Sequence, residues 1–182
     1  MLGFLFKDKK LKNVAYLLFS KVIEQSRLPV FYTDYLVEDS IDGRFDLMAL
    51  HMSILINKLD QSAQSADLKR MLQEAMFDNL DLTMREIGVG DLGVGKKVKI
   101  MAEAFYGRMN IYQENLNRSD QDNMQKAILR NLYRQRNIPP AVLEKLADYY
   151  FTQGQYINNQ TVSDIMLGNI AFVTPKRTFS ND

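Results

Sequence analysis

Apolar residues along this chain recur at intervals of three and four rather than two, the spacing of one helix face. No proline interrupts the stretch between Pro29 and Pro139, which is rich in Leu, Met, Ala, Lys, Gln and Glu, all good helix formers. The pattern predicts an all-α protein, a single-domain helical bundle of about six to eight helices. The first predicted helix runs from about Lys9 to Arg27, with Leu11, Ala15, Leu18 and Val22 as its stripe. Pro29 opens a short second helix faced by Phe31, Tyr32 and Tyr35. After a polar turn, Glu38 to Asp42, Ser40 or Asp42 is placed to cap a helix from Gly43 to Leu59. That helix is apolar nearly all round and belongs at the centre of the bundle. A long helix from Ala66 to Ile87 follows, and another from near Val94 to Asn117. Ser119 with Asp122 resembles a capping box for a helix reaching Arg134. Pro139 and Pro140 open a further helix ending near Gly154, and Thr161 or Ser163 starts a last turn before Gly168. Residues 1–12 are expected to form a peripheral or disordered N-terminal segment, 13–173 the helical domain, and 174–182 a loose tail.

Composition narrows the chemistry. With 182 residues, 46% hydrophobic and 25% charged, the chain can bury a full core. The formal net charge is +1, so no global field points to DNA or to an acidic substrate. The absence of cysteine excludes disulfides, thiolate metal sites and cysteine nucleophiles. A single histidine, His51, excludes a multi-histidine metal site within one chain. No metal and no cofactor are expected. The longest apolar run, Leu47 to Ile56, is well short of the roughly 20 residues a membrane span needs. The start does not read as a secretory signal, because its apolar piece precedes the lysines.

The stretch Gly88 to Gly95, GVGDLGVG, contains the spacings of two nucleotide motifs. A dinucleotide fingerprint requires a preceding strand, whereas DNLDLTMREI reads as helix. A P-loop requires Ser or Thr after its lysine, and Lys97 stands there. A helix–loop–helix connection is the simpler reading, with Gly88 as the left-handed residue after a helix and Gly93 and Gly95 permitting close approach of neighbours.

GRFDLMALHM (Gly43 to Met52) and MREIGVGDLGVGKKVKIMAEAFYGR (Met84 to Arg108) closely resemble the ubiquinol–cytochrome c chaperone family. KVIEQSRLPVFYTDYLVEDSIDGRFD also fits, and the resemblance covers roughly residues 12 to 175. It implies a non-enzymatic assembly factor for ubiquinol–cytochrome c reductase that holds newly made cytochrome b. It also implies a small partner protein and the ribosome as further partners. Without a long presequence the chain resembles a bacterial member, expected in the cytoplasm and peripheral on the inner membrane. The family supplies no catalytic residues to carry over.

Around the glycine-rich stretch, Arg85, Asp91, Lys96, Lys97, Lys99, Tyr106 and Arg108 are candidate client- or partner-binding residues. Arg85, Glu86 and Asp91 are placed to form ion pairs there, and the lysines with Arg108 form a basic patch suited to lipid headgroups, RNA or acidic client loops. Lys126, Arg130 and Arg134 recur every four residues as a second basic stripe, which supports an alternative as a ribosome- or RNA-binding module. Structural roles are expected for Gly88, Gly93 and Gly95, and for Arg44 pairing with Asp42 or Asp91. Asp46 is expected in a first helical turn, and His51 buried with one hydrogen bond. Gly107, mid-helix, is explained by close approach of another helix or by a client groove.

Overall fold

The computed structural model describes residues 2–176. Among them are eight α-helices and no strand: α1 (Leu2–Ser26), α2 (Val30–Thr33), α3 (Ile41–Leu59), α4 (Ala66–Glu86), α5 (Asp91–Arg118), α6 (Gln121–Asn131), α7 (Pro140–Asn158) and α8 (Val162–Met166). The expected all-α bundle is what the chain forms. α3 is its axis. Leu47, Ala49, Leu50, Met52 and Leu55 are wholly buried in it, because α1, α4, α5 and α7 all pack around it. α1 lies along α4, and α6 lies against α5 and α7. The first helix begins at Leu2 rather than near Lys9. The part of the expected tail at 177–182 lies outside the described residues. Residues 174–176 have no regular structure, yet the Tyr35 hydroxyl donates to the Lys176 carbonyl at 3.0 Å.

Local chemistry sets the helix ends. The Ser40 hydroxyl oxygen accepts the Gly43 N–H at 3.1 Å and caps α3. Thr161 caps α8 through the Asp164 N–H at 3.0 Å. The expected Ser119 box is not formed. Ser119 instead ends α5 in the left-handed region (φ 54°), and Asp120 caps α6 by accepting from the Asn123 N–H at 3.0 Å. α6 stops at Asn131, three residues short of Arg134, which is itself left-handed (φ 53°).

The glycine-rich stretch is shorter as a loop than expected. α4 closes with Gly88 at φ +84°, where the Gly88 N–H bonds the Arg85 carbonyl and the Val89 N–H the Met84 carbonyl, both at 3.0 Å. This pair of bonds is the left-handed helix stop that glycine favours. Gly90 then opens α5, so Gly93 and Gly95 are helical and do not belong to a loop. The expected close approach is absent at Gly95 and at Gly107, where a methyl group would meet nothing within 4 Å. Among the described residues neither glycine is compensated by packing. Gly95→Ala and Gly107→Ala should each raise stability by about 0.5–1 kcal/mol, read as a higher denaturant midpoint with an unchanged slope.

Candidate client groove

The reversal between α4 and α5 leaves one face of the bundle unfilled. Three isoleucines from different elements meet there: Ile41 at the start of α3 (43% exposed), Ile87 at the end of α4 (47%) and Ile100 on α5 (56%). With Met84, Met101 and Lys97 they line an open cleft of about 460 Å³. A second cleft of about 250 Å³ adjoins it, shares Ile41, Met84, Ile87 and Met101, and extends to Ile23 of α1 and to Arg27 just after that helix. Lys97, Arg27 and Glu86 stand at the margins. Partly exposed isoleucine and methionine side chains give a surface that is apolar and adaptable in shape.

Sequence reasoning placed basic residues here but not the isoleucines. Of the three lysines only Lys97 lines the clefts; Lys96 and Lys99 are exposed elsewhere on α5. Two signals were available. Ile100 falls off the apolar stripe of α5, and Ile41 sits in an otherwise polar turn. Arg85 does bridge the reversal as expected, pairing with Asp91 and with Asp81 (2.6 Å). Leu92, beside Asp91, is fully exposed at the tip. Tyr106 packs its ring against Phe77 of α4, 6.1 Å between centroids, outside the clefts.

Arg108 is not part of a basic rim. Its Nε lies 2.9 Å from Oδ1 of Asp46, and its guanidinium sits over the Phe45 ring at 5.4 Å. Asp46 is wholly buried, and Arg134 reaches its other oxygen at 3.1 Å while also pairing with Asp42. Asp46 therefore serves a buried cluster rather than the first turn of α3, where Asp42 stands. Burial raises the Asp46 carboxyl to about 6, although both arginines pull it down. The second basic stripe is accordingly broken. Lys126 and Arg130 stay on α6, whereas Arg134 has left the helix and turned toward α3. Arg44 pairs with neither expected acid but with Asp39 at 2.7 Å, in the turn preceding the helix.

His51 is buried, with two hydrogen bonds rather than one. Its Nδ1 lies 2.7 Å from the Leu47 carbonyl, which only accepts, so Nδ1 carries the proton and Nε2 accepts from the Tyr149 hydroxyl at 2.8 Å. The Tyr149 oxygen in turn accepts from the Gln25 amide at 2.9 Å. Burial lowers the His51 pKa to about 4. In the unfolded chain it would take a proton near 6.5, so its contribution is complete above that pH and is lost as pH falls toward 4. The loss should be about 3 kcal/mol at pH 4. His51→Asn should flatten the acid limb of a urea-stability profile over that window, and an unchanged limb would refute the assignment. Among the described residues, no three His, Asp or Glu side chains are gathered as a metal site, and no helix is long and apolar enough to cross a membrane.

Comparison with known proteins agrees with the folded core. The family model for ubiquinol–cytochrome C chaperone matches residues 33–172. The mouse ubiquinol–cytochrome c reductase complex assembly factor 1 is 23% identical over 159 residues, covering 87% of this chain and 54% of its own length. The human protein of that name is also 23% identical over 159 residues, covering 87% and 53%. The chain thus spans about half the length of these two relatives. The crystal structure of the Cbp3 homolog from Brucella abortus superposes with a TM-score of 0.83 at 24% identity, over 96% of this chain and 97% of that one, and shares its fold. With a family match over most of its length, the chain belongs to the ubiquinol–cytochrome c chaperone family.

Proposed function

We propose that this protein is a non-enzymatic assembly factor for ubiquinol–cytochrome c reductase that holds newly made cytochrome b in the groove between α3, α4 and α5. The observation carrying this reading is the meeting of Ile41, Ile87 and Ile100 at the surface of a chain in this family. A membrane protein awaiting insertion presents apolar helix faces, and a groove of partly exposed isoleucine and methionine accepts such a face without fixing one sequence. At its margins Lys97, Arg27 and Arg44 outnumber Asp42 and Glu86, which favours acidic loops flanking the client helix. The work is cytoplasmic in this reading, at the inner-membrane surface, with the ribosome and a small partner protein as further contacts. The RNA-binding alternative has less to stand on as a helix stripe, since Arg134 leaves α6 and only Lys126 and Arg130 remain on it.

Cells lacking the protein should lose assembled complex III and haem-stained cytochrome b while other respiratory complexes persist. Ile87→Glu combined with Ile100→Glu should approach the deletion phenotype. Both side chains are exposed, so folding should change by no more than about 0.5 kcal/mol per site. Lys97→Glu should weaken capture most at low salt, where screening is least. Normal cytochrome b in the deletion strain would remove the proposal; normal levels in the double variant alone would remove the groove.

A further inference from the structure

A third cleft, of about 510 Å³, lies on a different part of the bundle, between the C-terminal half of α5 and α6. Its walls are built from donors. Arg118 comes from α5, Lys126 and Arg130 from α6, and Gln135 from the segment after it. The only acid among the lining residues, Glu114, is already paired with Arg118 at 2.9 Å. Lys126 hydrogen-bonds the Asn123 amide oxygen at 3.4 Å with the Asp120 carboxylate also in its field, and Arg130 reaches the Asn131 amide oxygen at 3.4 Å. Asn115 is 4% exposed in the wall, and among the described residues its side-chain nitrogen has no hydrogen-bond partner. A buried amide donor left without an acceptor is costly, and an oxyanion satisfies such a group.

The backbone explains why these groups converge. Two consecutive residues after α6, Arg134 and Gln135, are left-handed (φ 53° and 61°). That turn sends Arg134 to Asp42 and Asp46 and leaves Gln135 in the cleft wall. Arg118 thus replaces Arg134 as the third cation, and the cleft carries an excess of two positive charges over Glu114. Ile111 and Ala127 supply an apolar portion of the lining. The volume exceeds that of a bare phosphate and suits an ester with a small organic group.

We propose that the α5–α6 cleft binds a phosphate ester, with Lys126, Arg130 and Arg118 as its cationic contacts and Asn115 as a buried donor. This goes beyond the client groove, and neither reading depends on the other. The same chemistry is offered by a soluble phosphate ester and by an anionic lipid headgroup, so both are tested on the full chain. Glycerol 3-phosphate is titrated into the ¹⁵N-labelled protein, and flotation is measured with phosphatidylcholine vesicles with and without phosphatidic acid. Shifts at Asn115, Lys126 and Arg130 with the soluble ester would support the site with a free ligand. Flotation that requires phosphatidic acid would support it with a lipid. In either arm Lys126→Gln with Arg130→Gln should weaken binding by at least about tenfold, the loss of two charge-assisted contacts. The exposed pair Lys9→Gln with Lys10→Gln, an equal change of charge, should leave it intact. Equal weakening by both pairs, or no binding in either arm, would overturn the proposal. Retention of single-stranded RNA alone would overturn it in favour of a diffuse polyanion surface.

Discussion

Asp46→Ala should lower stability by about 3–5 kcal/mol, because it leaves the mostly buried Arg108 guanidinium without a counter-charge. Arg134 suffers less, since it is half exposed and keeps Asp42. Replacing both inner partners with apolar residues, Asp46→Leu with Arg108→Met, should recover most of that loss, since the desolvation cost of both ions disappears together. A double-mutant cycle in urea checks this, and equal losses in the single and double variants would refute the pairing. The pair also has a signature in pH. The Asp46 carboxyl is raised to about 6 in the folded state, so the native protein takes up its proton before the unfolded chain does. Its contribution therefore grows as pH falls from about 6 toward the ordinary carboxylate range, the reverse of the His51 contribution over nearly the same interval. The wild type should show a shallow acid limb in which the two oppose each other. Asp46→Asn should steepen it, and His51→Asn should tilt it the other way.

Gly43→Ala should destabilise by about 3 kcal/mol or more, the severe end of overpacking effects. A methyl group at this position would stand 2.0 Å from the Glu38 carbonyl oxygen and 3.1 Å from its carbon. Both are backbone atoms, and that oxygen already accepts the Ser40 N–H at 2.9 Å, so no side-chain rotation relieves the clash. The turn before α3 would have to lift, taking with it the Ser40 cap and Ile41 in the groove. Circular dichroism melting and cytochrome b capture should therefore fall together. A variant of wild-type stability would show that the turn yields. The same substitution at Gly95, on an open helix face, should have the opposite sign.

Helix periodicity made the bundle legible, and the apolar girth of Gly43 to Leu59 correctly placed α3 at its centre. Gly88 was legible because a helix ending in glycine has few other reasons for it. Asp91 to Val94 was not, since glycines at 93 and 95 lower local helix propensity while α4 and α5 pack along each other regardless. The Arg134 turn carries no glycine or proline to announce it. It is held by Asp42 and Asp46, some ninety positions earlier. The site divided in the same way. Lysines near the reversal were visible as charge, whereas Ile41 and Ile87 become neighbours only once α3 and α4 are packed.

The C-terminal segment closes the structure over its beginning. Lys21 donates to the Gly168 carbonyl at 3.1 Å and Gln25 to that of Val173 at 2.8 Å. The Val173 N–H bonds Gln153 at 2.9 Å, and the Phe172 ring lies edge-on to His51, 6.3 Å between centroids. During synthesis α1 emerges before these partners, so the His51 side of the core stays open until the segment from Gly168 to Val173 has followed. The groove, which draws on residues 23 to 101, has all its parts available earlier. The chain is thus ordered in time as well as in space, with the groove built before the segment that seals the histidine.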